Sequence, residues 1–275
     1  MEGVSHLSNR WSYAAPFLVM RFGDIQLSTG SSFLWLRRDR TFLVTNWHNL
    51  AGRNPLTGQP MSRTGGIPDG ITIHTFRQAG PEDEHGLFEL EPTTVDIPLN
   101  STVLGQAKWV EHPSLGRSVD VAAIDVTERI QGHLIEHVNV LEANAVLSAA
   151  ASQDVFIIGY PFGQITGAPA PVWKRGTIAL DPTFDPDGLP KMFVDTASRE
   201  GMSGSVVVGR QVLINQQYKR KDGTQSAQVL LARIDTVIGI YSGRHYPDLE
   251  KAQLGVVWKR RVIEETVYAG RSPTL

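Results

Sequence analysis

Short apolar runs, separated by glycine, aspartate, asparagine and proline, make up most of the chain. The first four runs lie within residues 17–45, and others follow up to Trp258. β-Branched and aromatic residues are frequent in them, as is typical of strands, and their close spacing favours an antiparallel sheet curled into a barrel or sandwich. A length of 275 residues, 41% of them hydrophobic, allows one large domain or two packed smaller ones.

Two segments break this pattern. Residues 127–151 lack strand alternation, and we interpret them as an irregular or briefly helical connector between two β-rich halves. Residues 259–270 show helical spacing of apolar side chains, and Gly270 is a stop signal. The predicted units are an N-terminal barrel in 1–140, a C-terminal barrel in 141–258, and a helix with a tail in 259–275.

The part of the chain after residue 205 contains four further apolar runs. We predict four separate strands there, with a hairpin turn at Lys221-Asp-Gly223 between the second and the third. The four runs are 206–209, 211–215, 229–234 and 237–241.

Composition excludes several classes of protein. The chain has no cysteine, so it has no disulfide framework, no thiolate metal site and no thiol nucleophile. A formal net charge of -2 gives no overall attraction to nucleic acid or anionic membranes. The first residues lack the pattern of a secretory signal, and no apolar run approaches transmembrane length. We therefore expect a cytoplasmic protein that binds neither nucleic acid nor membrane.

One polar loop carries a candidate nucleophile. Ser203 lies in Gly201-Met-Ser-Gly-Ser205, between two apolar runs. Gly201 and Gly204 permit backbone conformations closed to other residues and let a substrate approach the main chain. A serine in this setting can act as a nucleophile, and the amides of Gly201 and Ser203 can bind a developing oxyanion. Taken alone, the pentapeptide is more typical of an ordinary β-turn.

Two residues upstream favour the interpretation of Ser203 as a nucleophile over an ordinary β-turn. His48 follows the apolar run 41–45, and Asp120 stands near the start of the run 118–126. With Ser203 they occur in the order His, Asp, Ser, each at the end of a strand or in a turn between strands. In this arrangement the chain resembles the trypsin/chymotrypsin-like serine proteases, in particular their disulfide-free bacterial branch.

Five separate motifs carry the resemblance, and together they span roughly residues 15–270. They are Leu43–Leu50 around the histidine, Asp120–Ile124, Gly201–Ser205, the cleft strand Gly239–Gly243, and Gly255–Val257 before the terminal helix. Five motifs in the right order are far more specific than any one of them. The resemblance implies an all-β fold of two antiparallel six-stranded chymotrypsin-like β-barrels with a C-terminal α-helix.

The resemblance also implies a role for each motif residue. Ser203 Oγ would attack the scissile peptide carbonyl, while His48 takes the proton and returns it to the leaving amine. Asp120 would orient His48, and Ser242 would brace Asp120. The amides of Gly201 and Ser203 would form the oxyanion hole. The implied activity is endopeptidase hydrolysis of a protein or peptide through an acyl-enzyme, with no metal and no cofactor.

The specificity pocket is placed by alignment from these motifs. Its base would lie near Ala197 and Ser198, neither of which is the acid that trypsin uses for lysine or arginine. Ser242 and Gly243 would line the cleft, with Arg244 at its rim. Arg244 either binds an acidic side chain through a bidentate hydrogen bond or points to solvent. The sequence does not decide among small, apolar and acidic substrate side chains for this pocket.

Met202 departs from the family pattern. Secreted members have an aspartate at this position that pairs with a newly cleaved N-terminus, so we do not expect activation by that ion pair. The oxyanion hole is then either preformed or ordered by a partner or ligand. A latent or inactive module that binds peptides or needs a regulatory protein partner is accordingly the main alternative.

Two other enzyme classes were weighed. His133-Leu-Ile-Glu-His137 matches a zinc pattern, which needs a helix and a third ligand. Gly132 and the β-rich surroundings favour instead a connector with exposed histidines. An α/β-hydrolase would need glycine at position 205, where this chain has serine, and its serine would precede its histidine. That class is therefore discarded.

Overall fold

A computed structural model describes most of the chain. The described residues are 9–62, 64–82, 84, 88–100, 106–142, 149–163, 169–197, 200–219, 225–244 and 254–273. For residues 213–219, 225–233 and 244 the description covers the backbone alone.

The first half of the chain forms two antiparallel sheets. Its strands are β1 (Phe17–Phe22), β2 (Ile25–Ser31), β3 (Phe33–Arg37), β4 (Arg40–Thr45), β5 (Gly70–Ala79), β6 (Glu89–Pro98), β7 (Trp109–Glu111) and β8 (Ala122–Asp125). One four-stranded sheet has the order β2-β1-β5-β6, and the other has the order β3-β4-β8-β7. A short helix, α1 (Trp47–Ala51), follows β4.

The closed N-terminal barrel that we predicted is not what the described residues show. At the end of β2, Ser31 still pairs with Phe17 of β1, and Ser31 N donates to the carbonyl of Ser203 at 2.8 Å. Beyond β6, pairing toward β7 is limited to an isolated bridge between Asn100 and Ala107. The two sheets instead enclose one apolar core, to which Leu18 of β1 and Trp109 of β7 both contribute.

The second half forms one closed six-stranded barrel, as predicted. Its strands are β9 (Asp154–Gly159), β10 (Val172–Ile178), β11 (Lys191–Asp195), β12 (Val206–Lys219), β13 (Gln225–Arg244) and β14 (Leu254–Lys259). The order around the barrel is β10-β11-β14-β13-β12-β9. In the connector, the described residues include one short helix, α2 (Val138–Leu141).

The four runs predicted after residue 205 are joined into the two long strands β12 and β13. Arg210 and Asp235 interrupt the apolar runs in the sequence, but they are cross-strand partners in the ladder. Arg210 Nε donates to Asp235 Oδ1 at 2.7 Å and Arg210 Nη2 donates to Asp235 Oδ2 at 3.0 Å. This bidentate pair satisfies both charges, so neither strand has to end there. The predicted turn at Lys221 lies outside the described residues.

A terminal helix, α3 (Arg260–Ala269), confirms the helical prediction. Its buried residues are the ones at helical spacing, namely Val262, Ile263, Thr266 and Val267. The three apolar ones, Val262, Ile263 and Val267, belong to a core cluster that includes Trp35 of the first half and Ile240 of the barrel, so the helix packs on both. Among the helices of the described chain, none has the length and apolarity that a membrane span requires.

Ile263→Ala is expected to lower the free energy of unfolding by about 2–5 kcal/mol. Ile263 is fully buried between the two halves, so truncation removes apolar contact and leaves a cavity. Urea denaturation followed by circular dichroism measures the change. Tyr268→Ala, on the exposed side of the same helix, is the matched control and should cost less than about 1 kcal/mol. Equal losses would contradict the packing of this helix.

Candidate active site

His48 and Asp120 meet at the start of α1. The Nδ1 atom of His48 lies 2.7 Å from Oδ2 of Asp120, and the backbone amide of His48 donates to Oδ1 of Asp120 at 3.0 Å. An ionised carboxylate only accepts hydrogen bonds, so Nδ1 donates and Nε2 is left free to act as a base. Because both carboxylate oxygens of Asp120 form hydrogen bonds with His48, the imidazole ring is held in one position.

Asp120 is buried, with 4% of its surface exposed, and both halves of the chain hold it. Ser242 Oγ, on β13, donates to Asp120 Oδ2, and Asn46 Nδ2 donates to the Asp120 carbonyl at 2.7 Å. Burial raises the pKa of Asp120, but attraction to His48 and the hydrogen bonds from His48 and Ser242 lower it further, and the net pKa is below its ordinary value. The carboxyl is therefore ionised at neutral pH.

The Ser203 loop is fastened across the two halves. The Ser203 carbonyl accepts hydrogen bonds from Ser31 N at 2.8 Å and from Asn49 Nδ2 at 3.3 Å. Gly204 follows with φ +92°, and a Cβ there would lie 2.0 Å from the Ser31 carbonyl oxygen. Only glycine fits this backbone position, which agrees with the glycine in the sequence motif.

Gly201 and Ser203 present two amides at the same loop. Gly201 has φ +86°, and its carbonyl accepts a hydrogen bond from Ser31 Oγ at 2.8 Å. Within the described residues, the amides of Gly201 and Ser203 donate to no protein acceptor. Both residues line the cleft.

His48 and Ser203 are walls of one cleft of ≈ 520 Å³. They make no direct hydrogen bond to each other among the described contacts. The remaining walls come from Met20 on β1, from β2, from Asn49 and the loop that follows α1, and from Phe162, Glu200 and Gly201. The arrangement can support acyl transfer, since it combines a hydroxyl, an oriented base and two free amide donors.

The residues expected at the specificity pocket differ in their positions and in how much of each the structure describes. Gly243 lies beside the nucleophile, since a Cβ on it would be 3.9 Å from Ser203 Oγ. Ala197 is exposed, and its carbonyl accepts a hydrogen bond from the Lys174 ammonium group. Ser198 lies outside the described residues, and Arg244 is described by its backbone, which pairs with Gly255.

Sequence reasoning missed four residues of the site. Ser31 and Asn49 fix the nucleophile loop, Phe162 lines the cleft, and Lys174 reaches the Ala197 carbonyl. None belongs to a local pattern that indicates this use. The contact from the Asn49 amide to the Ser203 carbonyl spans 154 positions of the chain.

The zinc pattern is not assembled. Residues 133–137 precede α2 and are not helical. Their side chains have separate partners: His137 contacts Thr41 at 2.9 Å, and Glu136 pairs with Arg10 at 2.7 Å. Across the described parts of the chain, no group of three histidine, aspartate or glutamate residues is placed to hold a metal ion.

Comparison with known proteins gives matches among solved structures alone. No protein-family model matches the chain, and neither does any curated protein. A serine endoprotease from Yersinia pestis is similar at 12% identity and a TM-score of 0.49, over 92% of this chain and 61% of that one. A thermostable serine protease from an extremophilic microorganism is similar at 13% identity and a TM-score of 0.49, over 95% and 98%. The chain thus spans less than two thirds of the length of the Yersinia protein.

Proposed function

We propose that the protein is a serine endopeptidase of chymotrypsin-like type, with Ser203 as nucleophile, His48 as general base and Asp120 as its orienting acid. The observation that carries the proposal is the doubly hydrogen-bonded His48–Asp120 pair, whose histidine lines the same cleft as Ser203. The Ser242 hydroxyl on the carboxylate and the two free amides at Gly201 and Ser203 support the same function.

The chemistry follows from these positions. His48 Nε2 takes the proton of Ser203 Oγ as that oxygen attacks the peptide carbonyl, and Asp120 stabilises the imidazolium that forms. The amides of Gly201 and Ser203 stabilise the oxyanion, each donor contributing about 3–4 kcal/mol to transition-state binding. His48 then protonates the leaving amine, and water hydrolyses the acyl-enzyme by the same steps in reverse order.

The substrate in this proposal is an extended protein or peptide segment. It adds as a strand along the end of β13 at Ser242, Gly243 and Arg244, because backbone hydrogen bonds to a strand edge bind an extended chain without regard to sequence. Ala197 and Ser198 would form the base of the pocket for the side chain before the scissile bond. The Lys174 ammonium group near Ala197 favours a small or acidic side chain over a basic one.

Fluorophosphonate labelling tests the proposed function. We expect one adduct per chain by intact mass, because the reagent needs an activated serine and an oxyanion hole. Ser203→Ala should abolish the adduct, and His48→Ala should slow its formation by at least about 10³-fold. Ser205→Ala is the matched control: its buried hydroxyl has no hydrogen-bond partner among the described residues, and the adduct should persist. A folded wild-type protein that stays unlabelled would contradict a constitutively active enzyme and favour the latent or peptide-binding alternative.

A further inference from the structure

The cleft at Ser203 extends into a pocket with apolar walls. We call it the acceptor pocket and define it by Leu27, Met61, Pro68 and Phe162, which line the cleft together with His48 and Ser203. Phe162 is 60% exposed and Met61 is 55% exposed. Two large apolar side chains left open to water at the same cleft indicate a surface that a ligand covers.

Phe162 has an unusual backbone conformation. Its φ is +59°, in the left-handed region that bulky residues rarely adopt. The turn is held by two hydrogen bonds, from Phe162 N to the Glu200 carbonyl at 2.6 Å and from Gly163 N to the Tyr160 carbonyl at 3.2 Å. Strain of this kind is found where a ring must occupy one position, as in ligand clamps. Glu200 directly precedes Gly201, so the ring is fastened to the loop that carries the nucleophile.

The opposite wall is also fixed. Leu27 lies on β2, and a Cβ on Gly66 would be 2.7 Å from its Cδ2 atom, so the side chain rests on the backbone of the loop between α1 and β5. This wall belongs to the half that carries His48. The residues assigned to the acyl half of the substrate, Ser242 and Gly243 on β13, do not line the acceptor pocket among the described residues.

We infer that the acceptor pocket binds an apolar side chain of the residue immediately after the scissile bond. This inference rests on the proposed function and specifies its substrate class. His48 must deliver its proton to the leaving amine, so the leaving half of the substrate lies beside His48, where the pocket is. The pocket walls have no lysine or arginine in the described chain, and Glu200 is exposed at its rim. A free carboxylate on the leaving residue is therefore repelled, which selects an internal position of a polypeptide.

Acyl transfer to added amines measures binding in the acceptor pocket and does not require the natural substrate. p-Nitrophenyl acetate acylates Ser203 Oγ and releases p-nitrophenolate. An added amine then competes with water: its nitrogen attacks the acetyl carbonyl, the bond to Oγ breaks, and His48 passes the amine proton to Oγ. The products are an N-acetyl amide from the amine and acetate from water, and their ratio reports amine binding on the leaving side.

Phenylalaninamide is expected to give a ratio about tenfold higher than glycinamide at equal concentration, because the pocket buries its ring. Phe162→Ala should reduce this preference to about threefold or less, and so should Met61→Ala as a second, independent variant. Both side chains are largely exposed, so neither change removes core packing. Phe184→Ala is the matched control: Phe184 is 64% exposed, lies outside the cleft, and should leave the preference unchanged.

The outcomes separate the two proposals. A wild-type protein that fluorophosphonate labels at Ser203, but that gives equal ratios with both amides, would overturn the acceptor pocket and leave the proposed function standing. A preference that survives both Phe162→Ala and Met61→Ala would overturn the assignment of its walls. A folded protein that is neither labelled nor acylated by the ester would overturn the proposed function and this inference together.

Discussion

Asp120→Asn is expected to slow fluorophosphonate labelling of Ser203 by about 10⁴-fold, the effect of this substitution in a Ser-His-Asp triad. An amide at this position can present its NH₂ group to His48 Nδ1, which then has to accept a hydrogen bond. The imidazole proton moves to Nε2, and the base toward Ser203 is lost. The second-order rate constant of labelling, read by intact mass, measures the effect.

Asp24→Asn is the matched control for this change of charge. Asp24 is fully exposed and 3.9 Å from its nearest cationic partner, so its neutralisation should leave the labelling rate unchanged. A loss at Asp120→Asn as small as that at Asp24→Asn would show that Asp120 does not orient the base.

The pH dependence of stability provides a second measurement on the same variant. The folded pKa of Asp120 lies below its unfolded value, so its ionisation stabilises the fold above the unfolded pKa. That contribution is lost as the pH falls through the folded pKa. The difference in free energy of unfolding between the wild type and Asp120→Asn should therefore shrink on acidification. A difference that is constant with pH would contradict the lowered pKa.

Gly204→Ala is expected to destabilise the protein by about 2–5 kcal/mol and to abolish labelling, from backbone strain and overpacking together. The new Cβ would lie 2.0 Å from the Ser31 carbonyl oxygen and 2.5 Å from Thr45 Oγ1, in a backbone conformation with φ +92°. The Ser31 oxygen already accepts a hydrogen bond from Thr45 Oγ1 at 2.8 Å, so neither neighbour can move without loss. Urea denaturation and labelling measure the two effects.

Gly132→Ala separates the two causes. Gly132 also has a positive φ, +75°, but a Cβ there would meet nothing within 4 Å. Gly132→Ala should therefore lower the free energy of unfolding only by the cost of a left-handed backbone conformation, about 1–2 kcal/mol. If Gly204→Ala costs no more than Gly132→Ala, the close approach between the two halves at Ser31 is wrong.

Local pattern located the terminal helix and the apolar runs that form strands, but it did not give how the strands pair or where β12 and β13 end. Alternation and helical spacing depend on neighbouring residues, so the spacing of Val262, Ile263, Thr266 and Val267 predicted a helix that the structure contains. Polar residues inside a run predict breaks, because a cross-strand partner that lies far along the chain leaves no sign in the local pattern. Arg210 and Asp235 are 25 positions apart in the sequence and satisfy each other across the ladder.

Contacts with partners far along the chain also explain why local pattern did not predict the pairing in the first half or all residues of the site. Ser31 N, at the end of β2, donates to the Ser203 carbonyl, which belongs to the other half. The residues that resemblance assigned to the site are those with recognisable flanking sequence, His48 and Asp120 among them. Ser31 has no such flanks, and Asn49, although it directly follows His48, contacts a carbonyl 154 positions away. The use of both residues could therefore be found only once the chain was folded.

The hydrogen bond between Ser242 and Asp120 joins two residues that the ribosome adds at different stages of synthesis. Asp120 is made early, but the hydroxyl that completes its surroundings lies 122 positions later, near the end of β13. A nascent chain that has already exposed His48 and Asp120 thus has neither its nucleophile nor this brace. In the proposed enzyme, the triad and the hydroxyl that braces it are therefore present together only once β13 has been synthesised.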